Sequence, residues 1–351
     1  MDDMTEANFE IPTQPVENPG NWQADVIQRE PWHTRFVPDV LDELVSVAEH
    51  IKAQGLQAPD FSSDDISVPL VSKNLQSVLD ELENGRGFVV ISGLDRAGYS
   101  QSEMENIFWV IGLALGCAVP ISADGALIGH VTDLGFDLNK PTVRNYQTRE
   151  ELSFHNDTCD VLGLMCLNKA KSGGTSAIAS AVAVHNEILQ TRPELLRELY
   201  APLPIDRRGE QGWPAEGDSA WFALPVFSYI DGKLTARYTV HDYYYQSQKF
   251  DDAPRLTDAQ QEALEYLRTV CLDERFHVNF QLEPGDIQLV NNYCVFHSRT
   301  NYEDYPEPDR RRHLLRLWLS VPNSRRLHPI FTARYRSAEP GALRGGIAPR
   351  A

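Results

Sequence analysis

The chain has 351 residues, with 32 Lys+Arg against 50 Asp+Glu and a formal net charge of −18. That acid excess excludes a nucleic-acid binder, which needs a basic face to meet phosphate, and argues equally against an anionic membrane surface as partner. With 42% hydrophobic and 23% charged residues the composition is ordinary for a globular protein, and the length allows two domains or one large one with a core that needs no staples.

The first thirty positions hold seven acids and one base, Arg29. They lack the positive start and apolar run of a signal peptide, and no stretch is apolar for long enough to cross a membrane. Residues 1–36 are polar and Pro-rich and read as an extended N-terminal arm. A helix is expected from Asp39, its N-cap, to Gln54, with Leu41, Leu44, Val45, Ala48 and Ile51 on one stripe and Gly55 ending it. A second helix covers Ser72–Asn84, and Gly87–Ile91 is a buried strand. Ser100 and Glu103 form a capping box that opens a helix to Leu115.

Past Gly116 the pattern turns to strands. Leu127–Val131, Val161–Asn168 and Ser176–Ala181 are expected strands, followed by short helices at Val184–Leu189 and Pro193–Tyr200. Asp231-Gly232 between Pro225–Ile230 and Lys233–Tyr238 is a hairpin signal. Thr257–Val270 is helical, Phe276–Leu282 alternates, and Ile287–Asn291 and Leu314–Val321 complete the β region. The order predicts one α+β domain over 37–325 with a β-sandwich or barrel core, and a basic C-terminal tail over 326–351. The acidic arm and this tail are complementary, within one chain or across a homo-oligomer. Five cysteines without a C-x-x-C pair predict free buried thiols and a cytoplasmic location.

His-x-Asp/Glu is expected roughly once or twice by chance in this composition, and it occurs twice, at His155-Asn156-Asp157 and His185-Asn186-Glu187. In an extended segment residues i and i+2 share a face and can close on one ion; on a helix they diverge. The first pair is therefore the metal candidate, and His185 is read as a surface or first-turn polar residue. His297 is the best third ligand. Two His and one carboxylate make the facial triad of non-haem Fe(II) oxygenases. In Arg312–Leu319 alternation puts Leu315, Leu317 and Leu319 on one face and Arg312, Leu314, Arg316 and Trp318 on the other. Arginines on a face fit for burial need anionic partners, either internal acids or a ligand carboxylate.

Phe154-His155-Asn156-Asp157, Lys171-Ser172-Gly173-Gly174-Thr175-Ser176, Pro284-Gly285-Asp286 through Asn292 to His297, and Arg312 with Arg316 together resemble the taurine dioxygenase (TauD/TfdA) family, over roughly positions 85–325. The resemblance implies a double-stranded β-helix (jelly roll, cupin-like) core with flanking helices. It also implies an Fe(II)- and 2-oxoglutarate-dependent dioxygenase that uses O2 to hydroxylate or desaturate an aliphatic C–H of a small molecule, such as a metabolic or natural-product intermediate, while 2-oxoglutarate becomes succinate and CO2. It places iron on His155, Asp157 and His297, the distal carboxylate of 2-oxoglutarate on Arg312 with a hydroxyl from Ser176 or Thr175, and an anionic substrate group on Arg316. Asn292 resembles the asparagine that precedes the distal histidine in the family, outside the ligands themselves. Related halogenases lack the carboxylate of Asp157, so halide chemistry is disfavoured.

Phe154 and Arg237 are further substrate candidates, Arg207–Ala223 reads as a lid-like loop, and Tyr243-Tyr244-Tyr245 as pocket wall or core. The alternatives are a non-catalytic metal- and carboxylate-binding jelly roll and a hydrolytic zinc enzyme.

Overall fold

The structure is a computed structural model and describes residues 10–29, 31–136, 147–214, 217 and 219–350. Asp2, Asp3, Glu6 and Glu30 of the expected arm, and positions 215, 216 and 218 of the expected lid, lie outside these.

Two sheets carry most of the strands. The larger runs His33–Arg35, Phe88–Ser92, Ile287–Asn291, Val161–Asn168, His313–Ser320 and Cys117–Ala118, with Ile128–Val131 also paired to His313–Ser320. Only its first pairing is parallel. The smaller sheet is antiparallel, in the order His277–Phe280, Ser176–Ser180, Val295–Arg299 and Leu152–His155. The period-2 alternation then decides what each face meets. Leu315, Leu317 and Leu319 pack under the helices Pro38–Ala53, Pro69–Asn84 and Gln101–Leu115. Trp318, on the opposite face, joins Phe88, Leu162, Ile178, Val290 and Val295 in a cluster drawn from both sheets. Ala177 and Ala179 face the other way, toward the helices Ala181–Thr191, Pro193–Tyr200 and Asp258–Leu272.

The capping boxes at Ser100/Glu103 and at Thr257/Gln260 both form. Asp231 and Gly232 take φ of 52° and 76°, the left-handed pair that a tight hairpin turn requires. Several expectations need correcting. Asp39 is not an N-cap: Pro38 and Pro69 occupy the first helical positions and start their helices earlier, because proline's fixed φ and missing N–H cost nothing there. The helix expected at Val184 begins at Ala181, capped by Ser180, which carries His185 to a fully buried position beside Tyr200 (Nε2···Oη 3.0 Å) and not to the surface.

The polar N-terminal stretch is not simply extended. It forms a short helix, Ala24–Ile27, and an edge strand, His33–Arg35. Trp22 is buried, with its Nε1 donating to Arg86 O at 2.9 Å. The basic C-terminal segment likewise packs on the domain. Among the described residues its arginines meet Asp160, Glu210, Asp231 and Glu339, and Arg325, just ahead of it, meets Glu83. Among the cysteines, Cys159, Cys166, Cys271 and Cys294 are buried and Cys117 is exposed; all five are free. No helix among the described residues is long and apolar enough to cross a membrane.

The buried Ser180 hydroxyl accepts from Ala183 N at 2.9 Å and donates to Gly20 O at 2.5 Å, so it caps the helix and anchors the N-terminal segment. Ser180→Ala is expected to cost about 1–2 kcal/mol, read as a shift of the urea midpoint with an unchanged slope.

Candidate metal centre

The smaller sheet sets the two histidines side by side. His297, in the middle of Val295–Arg299, stands in direct register with His155, the last residue of Leu152–His155, and the rings lie 4.2 Å apart. Asp157 follows two residues past the strand end, so the shared face is completed by a loop and not by one strand. Its carboxylate oxygens lie 3.8 Å from His155 Nε2 and 3.7 Å from His297 Nε2. One ligand atom from each residue falls within 4.8 Å of the others. Nitrogen and oxygen ligands at about 2.0–2.2 Å from one ion span such separations.

The electrostatics suit a cation. Burial lowers the His155 pKa, against the Asp157 charge and the Ser153 carbonyl, with Arg237 and Arg316 adding to the fall. Burial and the neighbouring His155 bring His297 down to about 3. Both imidazoles are therefore neutral at neutral pH with a lone pair to give. His155 Nδ1 donates to Ser153 O at 2.8 Å, leaving Nε2 bare toward Asp157. Burial alone pushes the Asp157 carboxyl up. His297, Arg316 and His155, with the Trp318 N–H, override it and hold the group below its usual value. Trp318 Nε1 donates to Asp157 Oδ2 at 3.0 Å.

The loop carrying Asp157 is tied from several sides. Asn292 Oδ1 accepts from Asp157 N at 3.0 Å, and its Nδ2 donates to Cys159 Sγ at 3.0 Å. Asn156 exchanges hydrogen bonds with the Tyr238 backbone and donates to Val295 O. Arg237 donates to Asn156 O at 3.3 Å and Thr158 Oγ1 at 3.1 Å. Asp160 accepts from Arg344 Nε at 2.7 Å and Tyr293 Oη at 2.6 Å. The sequence reading singled out Asn292 for its place before the distal histidine; its side chain meets the Asp157 amide and Cys159 instead, and Asp160, Tyr293 and Arg344 were missed. The available signal was Asp160 itself, an acid at the head of an apolar strand, which needs a partner.

A cavity of about 270 Å³ opens onto this centre, lined by His155, Asp157, Arg237, Arg316 and Trp318 among others. The expected lid contributes Arg207, Arg208, Gly209 and Glu210 to its wall from the loop between the paired strands Leu203–Asp206 and Trp221–Leu224, and Phe222 from the second of those strands. The tyrosine cluster divides: Tyr243 lines the cavity and Tyr244 is fully buried in the core. Phe154, expected near substrate, is a correction. It alternates with His155 along the strand, packs in the helix-side core 5.5 Å from the His277 ring, and is not among the cavity residues.

A second, small cavity brings Arg312, Ser176 and Gly174 together. Arg312 is 4% exposed, lies over the Tyr302 ring at 5.1 Å, and has a buried Nη1 without a partner among the described residues. Gly174 (φ +67°) presses its backbone against this side chain, since a Cβ there would lie 3.1 Å from Arg312 Nε. Thr175 is turned away: its hydroxyl accepts from Gln281 Nε2 at 2.7 Å.

The family described as "Taurine catabolism dioxygenase TauD, TfdA family" matches residues 51–318. Over 320 residues the chain is 33% identical to FR-33289 synthase of Streptomyces rubellomurinus (strain ATCC 31215), covering 90% of this chain and 93% of that one. It is 26% identical to the taurine hydroxylase-like protein SAT17 of Stachybotrys chartarum (strain CBS 109288 / IBT 7711), covering 75% and 68%. Among solved structures, an asparagine oxygenase in complex with Fe(II), 2S,3S-3-hydroxyasparagine and succinate superposes with a TM-score of 0.62 at 16% identity, over 82% of this chain and 93% of the other.

Proposed function

This chain belongs to the TauD/TfdA family of taurine catabolism dioxygenases and is an Fe(II)- and 2-oxoglutarate-dependent oxygenase of small molecules; we propose that His155, Asp157 and His297 hold its iron, Arg312 and Ser176 its 2-oxoglutarate, and Arg316 an anionic group of its substrate. One observation carries this assignment: ligand atoms of two buried histidines and a half-buried aspartate converge within 4.8 Å, with the partnerless Nη1 of a buried arginine in the neighbouring cavity. We read the two sheets as the double-stranded β-helix, residues 37–325 as the single dioxygenase domain with both flanking segments packed on it, and the cytoplasm, whose reducing poise suits five free thiols, as its compartment. Dioxygenase family membership favours oxidation over the hydrolytic and non-catalytic alternatives.

The iron, when bound, supplies the oxidative decarboxylation of 2-oxoglutarate by O2 to succinate and CO2, coupled to oxidation of a substrate C–H. The chain supplies position. His155 and His297 present neutral Nε2 atoms, and Ser153 O fixes the tautomer of the first. Asp157 remains ionised and offsets metal charge, with Trp318 and Asn292 holding its side chain and amide. Arg312 offers two-pronged donors to a carboxylate. Ser176 is preferred over Thr175 because it shares the small cavity with Arg312.

The reading is tested by adding Fe(II) and then 2-oxoglutarate anaerobically to the apoprotein. A visible charge-transfer band requiring both is expected; folded protein that binds neither overturns it. Arg312→Ala is expected to raise the KM for 2-oxoglutarate roughly 10–100-fold, the weight of hydrogen bonds to a charged group, while Fe(II) affinity stays unchanged. An unchanged KM removes Arg312 from the co-substrate site.

A further inference from the structure

We propose that the primary substrate carries a phosphate-class dianion, a phosphate monoester or a phosphonate, recognised by Arg237 together with Arg316 in the cavity beside His155 and Asp157. The inference rests on the iron-site reading above and deepens it. The described residues lining that cavity include six arginines, Arg207, Arg208, Arg237, Arg316, Arg334 and Arg350, and three carboxylates. Those carboxylates are already engaged. Asp157 faces the two ligand histidines, Asp206 receives Lys249 Nζ at 2.7 Å, and Glu210 lies 3.7 Å from Arg334. In a chain of net charge −18, the described lining of this one cavity thus holds more arginines than carboxylates.

Arg237 is the most telling of them. It is 4% exposed, its hydrogen bonds go to the neutral Asn156 O and Thr158 Oγ1, and its buried Nε has no partner among the described residues. Burying a guanidinium without a counter-charge is costly, so a ligand anion is the natural completion. Arg312, assigned to 2-oxoglutarate, lines the other cavity and leaves this charge unanswered. One sulfonate or carboxylate brings a single negative charge. A phosphate group brings about −1.5 to −2 at pH 7 and three acceptor oxygens, which matches two guanidinium forks.

The test uses two probes of the same shape, ethyl phosphate and ethyl sulfate, titrated calorimetrically at pH 8 into the anaerobic Fe(II)/2-oxoglutarate holoenzyme, with ethylphosphonate as a third arm. Ethyl phosphate is expected to bind at least tenfold more tightly than ethyl sulfate, and the third arm tells monoester from phosphonate preference. Equal binding, or preference for the sulfate, overturns the proposal. Arg237→Gln is expected to remove the preference, with Fe(II)/2-oxoglutarate binding measured on the same variant because Arg237 also ties the loop of Asp157, and Arg237→Lys to restore part of it. A preference that survives in Arg237→Gln with the band intact overturns the role of Arg237. Absence of the band in the unmodified protein would instead reject the iron-site reading, so the two failures are separable.

Discussion

Asp157→Ala is expected to abolish 2-oxoglutarate turnover and the visible band of the anaerobic Fe(II)/2-oxoglutarate complex. Charge matters here as much as coordination number. His155 and His297 are neutral and stand in register, so Asp157 is the one anion among the three proposed ligands and would answer the charge of the metal. Without it a divalent ion would sit between two imidazoles and the nearby positive charges of Arg316 and Arg237. Disturbing groups that merely orient metal ligands costs 10–100-fold in affinity; removing a charged ligand is expected to cost more than about 100-fold. Asp157→Asn separates charge from packing, because the amide retains an oxygen to accept from Trp318 Nε1 and fills the same space. Fe(II) affinity and turnover should fall in both variants, with the far-ultraviolet circular dichroism of the unmodified protein retained. Either variant keeping half its turnover would remove Asp157 from the metal centre.

The metal centre was legible because its chemistry is encoded by residue type at short range. His155 and Asp157 stand two apart, and the alternation of Arg312–Leu319 separates the helix-facing leucines from Arg316 and Trp318. The strand carrying His297 was not legible. Val295–Arg299 is five residues long, follows a turn at Asn291–Cys294, and ends in Ser298 and Arg299, so it shows no clean alternation. The edge strand His33–Arg35 was hidden for a related reason: all three residues are exposed and only backbone pairing with Val90–Ser92 defines it. His185 was misplaced because its helix starts three residues before the apolar periodicity suggested, which rotates the imidazole into the core. Long-range polar ties leave no local trace at all. Asn156 to Val295, Asn292 to the Asp157 amide, and Arg237 to Thr158 join positions 79 to 139 residues apart.

A still longer tie governs the second large effect, the response to Arg344→Met. Arg344 is 0% exposed and lies 184 residues from its partner, with Nε 2.7 Å from Asp160 Oδ1. The same carboxylate accepts from Tyr293 Oη at 2.6 Å, Val321 N at 3.0 Å and Ser320 Oγ at 3.3 Å. Beyond Arg344 the chain continues along the metal loop: Gly346 N donates to Thr158 O at 2.8 Å, and a Cβ at Gly345 would meet that same oxygen at 2.7 Å. Ile347 and Arg350 then reach the cavity wall. The C-terminal segment is thus a strap that holds residues 158–160 against the sheet. Removing one partner of a buried ion pair leaves the other charged and uncompensated, which costs about 3–5 kcal/mol; Tm is expected to fall by on the order of 10 °C. The double variant Asp160→Asn/Arg344→Met should recover a substantial part of that loss, because it removes the stranded charge and leaves an amide that still hydrogen-bonds Tyr293. Stability alone would not connect the pair to function, so Fe(II) affinity is measured well below the transition. Both variants are expected to bind the metal more weakly than the unmodified protein, since the tie beside Asp157 is loosened in each. Unchanged stability in Arg344→Met would show that the pair carries no net weight, and full stability loss with unchanged Fe(II) affinity would confine the strap to a structural role.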